Sequence, residues 1–355
     1  MISIFTTKNN LQSICLDVDK RPWLDMIIKL KEVFVNEEEI FSNEVDPEED
    51  PFYILDGMQI DINSSLKEYI NDISRNPEHV LEHPSSIFLL DISVADAQCI
   101  QKNYGVICQP IRKLDYKPLT QPYLPTELTE RESGKSWASI IAQFAMLPSN
   151  SILIIDAHLF NEDKFDENKG CYDERKKVGI DNIFEILNCI LPQSFQSIYH
   201  VGVLVMDMEA ARTLGRSHSN LTNARIATAI NNLKKKLRRN YVINMEVIFF
   251  DPRDDGYKLI HNRRILSNYF IVTAEYKLAT IKDGISLCGQ SIAVSPLFEN
   301  IEINPRSDKK EKRIRSEIEH LSAFFSRQST SHTALLYQNG RKMDDFLQMQ
   351  HRFFH

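Results

Sequence analysis

Three observations in the sequence predict an α/β protein with two α/β layered domains. Strand-sized apolar runs at Ile87–Leu90 and Val106–Cys108 flank a helical pattern at Val94–Lys102, the spacing of a βαβ unit on a parallel sheet. A second series beginning at Ser151 reads β-α-β-α-β-β. Between the two, residues 109–136 carry Pro110, Pro118, Pro122 and Pro125 among polar residues, a density that interrupts helix and ladder alike. At roughly 100–200 residues per domain, 355 residues accommodate two. We place an acidic α/β domain of unknown role at 1–125, a second α/β domain at 126–305, and a basic helix with a polar tail at 306–355.

Along the first domain, apolar residues at three- and four-residue spacing predict a helix from Trp23 to Phe34. Asn36 to Pro51 is rich in carboxylates and reads as a solvated loop. A short strand near Phe52–Leu55 and a helix over Leu66–Ile73, opened by Ser64 or Ser65, precede the βαβ unit. In the second domain Trp137–Met146 reads as an amphipathic helix stopped by Pro148, and Ser151–Asp156 as a buried strand. Helices follow at Gly179–Leu191 and Asn223–Arg238. Strands are expected at Ile198–Val205, Met245–Phe250 and Tyr269–Ala274, with another starting at Tyr257–Ile260. A basic helix over Lys309–Phe325 closes the pattern.

Composition narrows the class. Hydrophobic residues make up 43% and charged residues 26%, the balance of a globular protein. No apolar run reaches the ~18 residues needed to cross a bilayer, and the first ten residues lack the pattern of a secretion leader. The expectation is a cytoplasmic protein without membrane association. Six scattered cysteines with no C-x-x-C pair read as reduced side chains, not as a disulfide framework or zinc site. Ser133-Gly-Lys-Ser136 is not a phosphate loop, because the first glycine of that motif would fall at Thr129.

The charge is uneven. Residues 1–130 hold 11 Lys and Arg against 23 Asp and Glu, whereas residues 212–264 hold 12 against 4. The basic stretch includes Lys234, Lys235, Lys236, Arg238 and Arg239 at a helix end, with Arg264 downstream. Cations at a helix C-terminus complement its dipole. The same cluster also suits a phosphate backbone, so nucleic acid, DNA or RNA, is an expected partner.

The segment with chemistry in it is His261-Asn-Arg263-Arg-Ile-Leu-Ser-Asn268, spaced His-x-Arg-x-x-x-x-Asn between apolar stretches. It resembles the His-x-Lys-x-x-x-x-Asp signature of the phospholipase D-like superfamily, with Arg263 for the lysine and Asn268 for the aspartate. The strand ending Asp156-Ala-His158 is similar to an element that opens divergent members. The resemblance spans roughly residues 137–300 and implies a mixed sheet flanked by helices. It implies a phosphodiesterase that needs neither metal nor cofactor, with His261 as nucleophile, Arg263 as phosphate clamp, Asn268 as orienting group and Arg264 as auxiliary cation. Arginine can clamp phosphate bidentately, whereas Asn268 cannot stabilise an imidazolium by charge.

Such chemistry uses two histidines, and only one His-x-Arg element is present. His158, His218 or a second copy of His261 in a homodimer are the open choices. Divergent members occur in prokaryotic defence and mobile-element systems, so the resemblance implies an antiviral or mobile-element nuclease. The alternative is a catalytically inactive scaffold subunit of a larger complex, binding protein or nucleic acid through the same fold.

Overall fold

The computed structural model describes residues 2–38, 52–110, 113–120, 126–128, 137–138, 147–173, 178–275, 278, 281–282, 285–286, 290–298, 309–331 and 333–354. The chain forms two compact units. One comprises Met1–Pro122, Met146–Asn150 and Pro296–Arg313, the other Tyr123–Ala145, Ser151–Ser295 and Ile314–His355. Most of the acidic stretch, most of Trp137–Met146, Ser133–Ser136 and Cys288 lie outside the described residues.

The first unit runs β1 (Ile4–Thr6), α1 (Lys8–Leu16), α2 (Arg21–Leu30), β2 (Glu32–Val35), α3 (Tyr53–Gly57), β3 (Asp61–Asn63), α4 (Lys67–Asp72), β4 (Ile87–Leu90), α5 (Val94–Tyr104), β5 (Ile107–Pro110) and the short α6 (Lys117–Thr120). Its sheet is parallel, in the order β3-β2-β1-β4-β5. Phe5 on the central strand stacks on Phe34 at 4.9 Å and on Phe88 at 5.2 Å, so three adjacent strands share one aromatic layer.

Here the βαβ expectation holds and three neighbouring expectations do not. The helix predicted to reach Phe34 ends at Leu30, because Lys31 turns left-handed (φ 67°) and the chain continues as β2. Phe52–Leu55 is helical rather than extended, as part of the turn leading into α3. The next helix starts after Leu66 without a side-chain cap from Ser64 or Ser65.

The second unit runs β6 (Thr126–Leu128), β7 (Ser151–Ile155), β8 (Phe165–Asp166), β9 (Cys171–Tyr172), α7 (Val178–Ile190), β10 (Tyr199–Met206), α8 (Met208–Thr213), α9 (Asn223–Leu237), β11 (Ile243–Phe250), α10 (Tyr257–Ile260), β12 (Arg264–Ser267), β13 (Phe270–Ala274), β14 (Ile281–Lys282), β15 (Ile285–Ser286), β16 (Gln290–Pro296), α11 (Lys309–Ser331), β17 (Ala334–Gln338) and β18 (Arg341–Lys342). Nine strands form a mixed sheet flanked by helices, in the order β18-β17-β11-β10-β7-β12-β13-β16-β6. Strands β7, β10 and β11 are parallel, and β12 and β17 pair antiparallel on either side of them. Every residue of β7, β10 and β11 is buried, as expected of parallel strands covered on both faces.

Two expectations are corrected in this unit. Tyr257–Ile260 is one turn of helix, launched by the Asp254–Gly256 turn, and extended structure begins only at Arg264. The end of the chain is not a loose tail: Ala334–Gln338 pairs along β11, and Asn339-Gly340, both at positive φ, turn it into β18. Cys15, Cys99, Cys108, Cys171 and Cys189 form no disulfide with one another.

A fully buried carboxylate starts α7. Asp163 accepts the N–H groups of Gly179 at 2.8 Å and Ile180 at 3.3 Å, and burial pushes its pKa from 3.8 up to about 7. The folded chain therefore holds a proton there that the unfolded chain has already lost, and the contribution of Asp163 to stability falls as pH rises from about 4 to about 7. Asp163→Asn, which keeps an acceptor oxygen but does not titrate, should flatten the fall of melting temperature across that window. An unchanged slope in the variant contradicts the assignment.

Candidate functional site

Parallel α/β sheets bind ligands beyond the carboxyl ends of their strands. At that edge of the second unit three chain segments converge: the turn after β7, the loop after β10 and the segment between β11 and β12. Backbone bonds fix their spacing. Ala157 N–H donates to the Ile260 carbonyl at 3.2 Å, and Met206 N–H donates to the Ala157 carbonyl at 3.3 Å.

This knitting brings His158 and His261 together although 103 positions separate them. Their rings meet edge-on with centroids 6.0 Å apart, and Tyr257 completes the group at 6.4 Å from His158 and 6.1 Å from His261. Tyr257 and His261 are four residues apart on one helical turn, which puts both on the same face. The Tyr257 hydroxyl lies 3.3 Å from His158 Nε2, and Asn161 Nδ2 lies 3.0 Å from His158 Nδ1. His261 is exposed and His158 half-buried, so the pair faces out of the sheet edge.

Asp156 anchors the group from below. It is fully buried; Oδ1 accepts the His158 N–H at 2.9 Å and Oδ2 accepts the Leu278 N–H at 2.9 Å. Arg263 Nε stands 4.0 Å from the same carboxylate, and its Nη1 donates to the Glu275 carbonyl at 3.3 Å. Burial raises the Tyr257 phenol above its ordinary pKa, while the nearby cations Arg216 and Arg263 oppose that rise and Asp156 adds to it. The edge thus carries two imidazoles, a phenol and two guanidiniums, a set suited to holding and protonating an oxyanion.

The remaining sequence-predicted residues lie elsewhere. Asn268 is buried and its Oδ1 accepts the backbone N–H of Ser151 at 3.3 Å. Strand β12 runs antiparallel to β7, so Asn268 sits at the opposite end of the sheet from His261, about 13 Å of strand away. It does not orient the histidine. Arg264 is 4% exposed and gives its donors to the carbonyls of Asn262 at 2.5 Å and Leu259 at 2.9 Å and to the Glu317 carboxylate. It is a brace for the His261 segment, not a surface contact.

The basic helix end divides in the same way. Lys234 donates to Asn339 Oδ1, and Arg239 donates to the carbonyls of Asn188 and Leu237, each at 2.9 Å. Lys235, Lys236 and Arg238 are exposed. They lie where α9 ends and the chain turns into β11, at the amino edge of the sheet, away from the histidines. His218 is exposed in the loop between α8 and α9.

Sequence reasoning missed Tyr257, Asn161 and Arg216 as members of this group. The i, i+4 spacing of Tyr257 and His261 was a usable signal once the segment is read as helix. Among the described residues, no group of three His, Cys, Asp or Glu side chains is placed to hold a metal ion, and no helix is long and apolar enough to cross a membrane. Compared with known proteins, the sequence matches no family model and no curated protein.

Removing Arg264 takes its guanidinium away from the Glu317 carboxylate and from the Leu259 and Asn262 carbonyls. Arg264→Met should cost about 3 kcal/mol in urea unfolding, whereas Lys235→Ala and Lys236→Ala should each stay within about 0.5 kcal/mol. Equal, small effects at all three positions contradict the brace.

Proposed function

We propose that the second unit is a phosphodiesterase acting on nucleic-acid backbones by the route that the phospholipase D-like resemblance implies, with His261 as nucleophile and His158 as the second histidine. The observation that carries this reading is the 6.0 Å approach of the two rings within one chain, which makes a homodimer unnecessary for the pair. The exposed His261 ring attacks phosphorus, forming a covalent intermediate that water resolves. Arg263, held near Asp156, meets the non-bridging oxygens as charge develops on them. His158 supplies the proton to the departing oxygen, and the Tyr257 hydroxyl at its Nε2 marks where that oxygen sits. The role in a defence or mobile-element system belongs to the same proposal and rests on the resemblance alone.

A second reading is a binding subunit without catalysis, and one observation favours it. Asn268, the motif's third residue, bonds to Ser151 at the far end of the sheet instead of supporting His261. The exposed Lys235, Lys236 and Arg238 would then form a nucleic-acid contact of their own.

Cleavage of labelled single- and double-stranded DNA and RNA in EDTA separates the two. Wild type should cleave at least one of these, His261→Ala should lose about 10³-fold or more, and His158→Ala about 10²–10⁴-fold. Undiminished cleavage by His261→Ala contradicts the assignment. Salt-sensitive binding with no cleavage by any of the proteins selects the second reading.

A further inference from the structure

We infer that Asn161 is the positioning residue of His158, serving its Nδ1 in both protonation states. The catalytic meaning of this rests on the phosphodiesterase reading above; the geometry and the test do not. Asn161 follows His158 by three residues in the turn after β7, and its N–H donates to the His158 carbonyl at 3.1 Å, so ring and amide ride on one tight turn. Asn161 Nδ2 lies 3.0 Å from His158 Nδ1. Its Oδ1 is buried with no hydrogen-bond partner among the described residues.

An imidazole that works as a general acid passes through a charged and a neutral form, and the charged ring and the resting neutral tautomer ask opposite things of the group at Nδ1. With Nδ2 turned toward Nδ1, as here, the ring nitrogen accepts and the proton of the neutral ring sits on Nε2, facing the Tyr257 hydroxyl at 3.3 Å. When the ring is charged, Nδ1 also carries hydrogen and requires an acceptor. Half a turn of the amide presents Oδ1, the atom left without a partner in the first arrangement. A carboxylate serves only a ring that carries hydrogen on Nδ1, and an aliphatic side chain serves neither arrangement.

The acid step then balances. As the bond from His261 to phosphorus forms, the P–O bond to the leaving group breaks and its electron pair stays on that oxygen. The Nε2 proton of the charged His158 passes to the same oxygen. The ring is left neutral with its remaining proton on Nδ1, bonded to Asn161 Oδ1. Other groups also face His158. The Asp156 carboxylate binds its backbone N–H, the Tyr257 hydroxyl lies at Nε2, and the His261 ring stands 6.0 Å away. Arg263, 4.0 Å from Asp156, offsets that carboxylate.

The test is a side-chain 15N NMR titration of His158 in the intact wild-type chain, Asn161→Leu and Asn161→Asp. The midpoint should fall by about one pH unit in Asn161→Leu, because the charge-assisted bond lost by the imidazolium is worth more than the bond lost by the neutral ring, and rise by about one unit in Asn161→Asp, which stabilises the charged form. A midpoint that stays put in both variants overturns the inference. Asn161→Asp is nearly isosteric and decides alone if the leucine variant does not fold. The titration needs no substrate, so a wild-type protein that cleaves nothing defeats the phosphodiesterase reading and leaves this result to stand or fall separately.

Discussion

Asp156 leaves solvent completely, and a carboxylate at that depth has to be met by donors. Among the described residues it accepts from the N–H groups of His158 and Leu278, with the Arg263 guanidinium nearby. Each belongs to a different stretch of chain, so meeting one buried charge fixes the turn after β7, the approach to β12 and the segment beyond β13 with respect to one another. The histidine pair is a consequence. His158 is placed by its own backbone bond to the carboxylate, and His261 by the bond between Ala157 and Ile260 one residue before it.

Arg264 acts on the same segment from the other side. Its guanidinium gathers the carbonyls of Leu259 and Asn262, which flank His261, and ties them to Glu317 on α11. A loop that would otherwise expose unpaired carbonyls at a sheet edge is thereby held in one shape. Adjacent arginines thus divide the labour. Arg263 stands partly exposed beside Asp156, while Arg264 is spent inside the fold. The basic character of residues 212–264 is in large part structural in this sense, since Lys234 and Arg239 are also spent on fold contacts.

What was legible in the sequence follows burial. β7 is a continuous apolar run and β10 and β11 are predominantly apolar, and all three are legible to within two residues at each end, as are β4, α5 and β5. β2 was absorbed into the preceding helix because Val33 and Phe34 prolong its apolar pattern and Lys31, a non-glycine residue in left-handed conformation, gives no punctuation. β17 was hidden in a chain end read as polar, although Asn339-Gly340 is a strong hairpin signal and the Ala334–Tyr337 run precedes it. In the site, His158, His261 and Arg263 were named from residue type and spacing. The motif spacing places Asn268 beside His261, whereas β12 starts at Arg264 and carries Asn268 away along β7. Tyr257 becomes legible through its i, i+4 spacing to His261 only once that segment is read as helix, whereas Asn161 and Arg216 depend on loop contacts that no periodicity encodes.

The central claim is that His158, His261 and Arg263 converge on one phosphate, and a crystal structure with tungstate as a phosphate mimic tests it most directly. The account predicts the oxyanion within hydrogen-bond distance of both imidazoles and the Arg263 guanidinium, and its loss from that position in Arg263→Ala. An oxyanion seated instead on Lys235, Lys236 and Arg238, with the histidine edge empty, contradicts it.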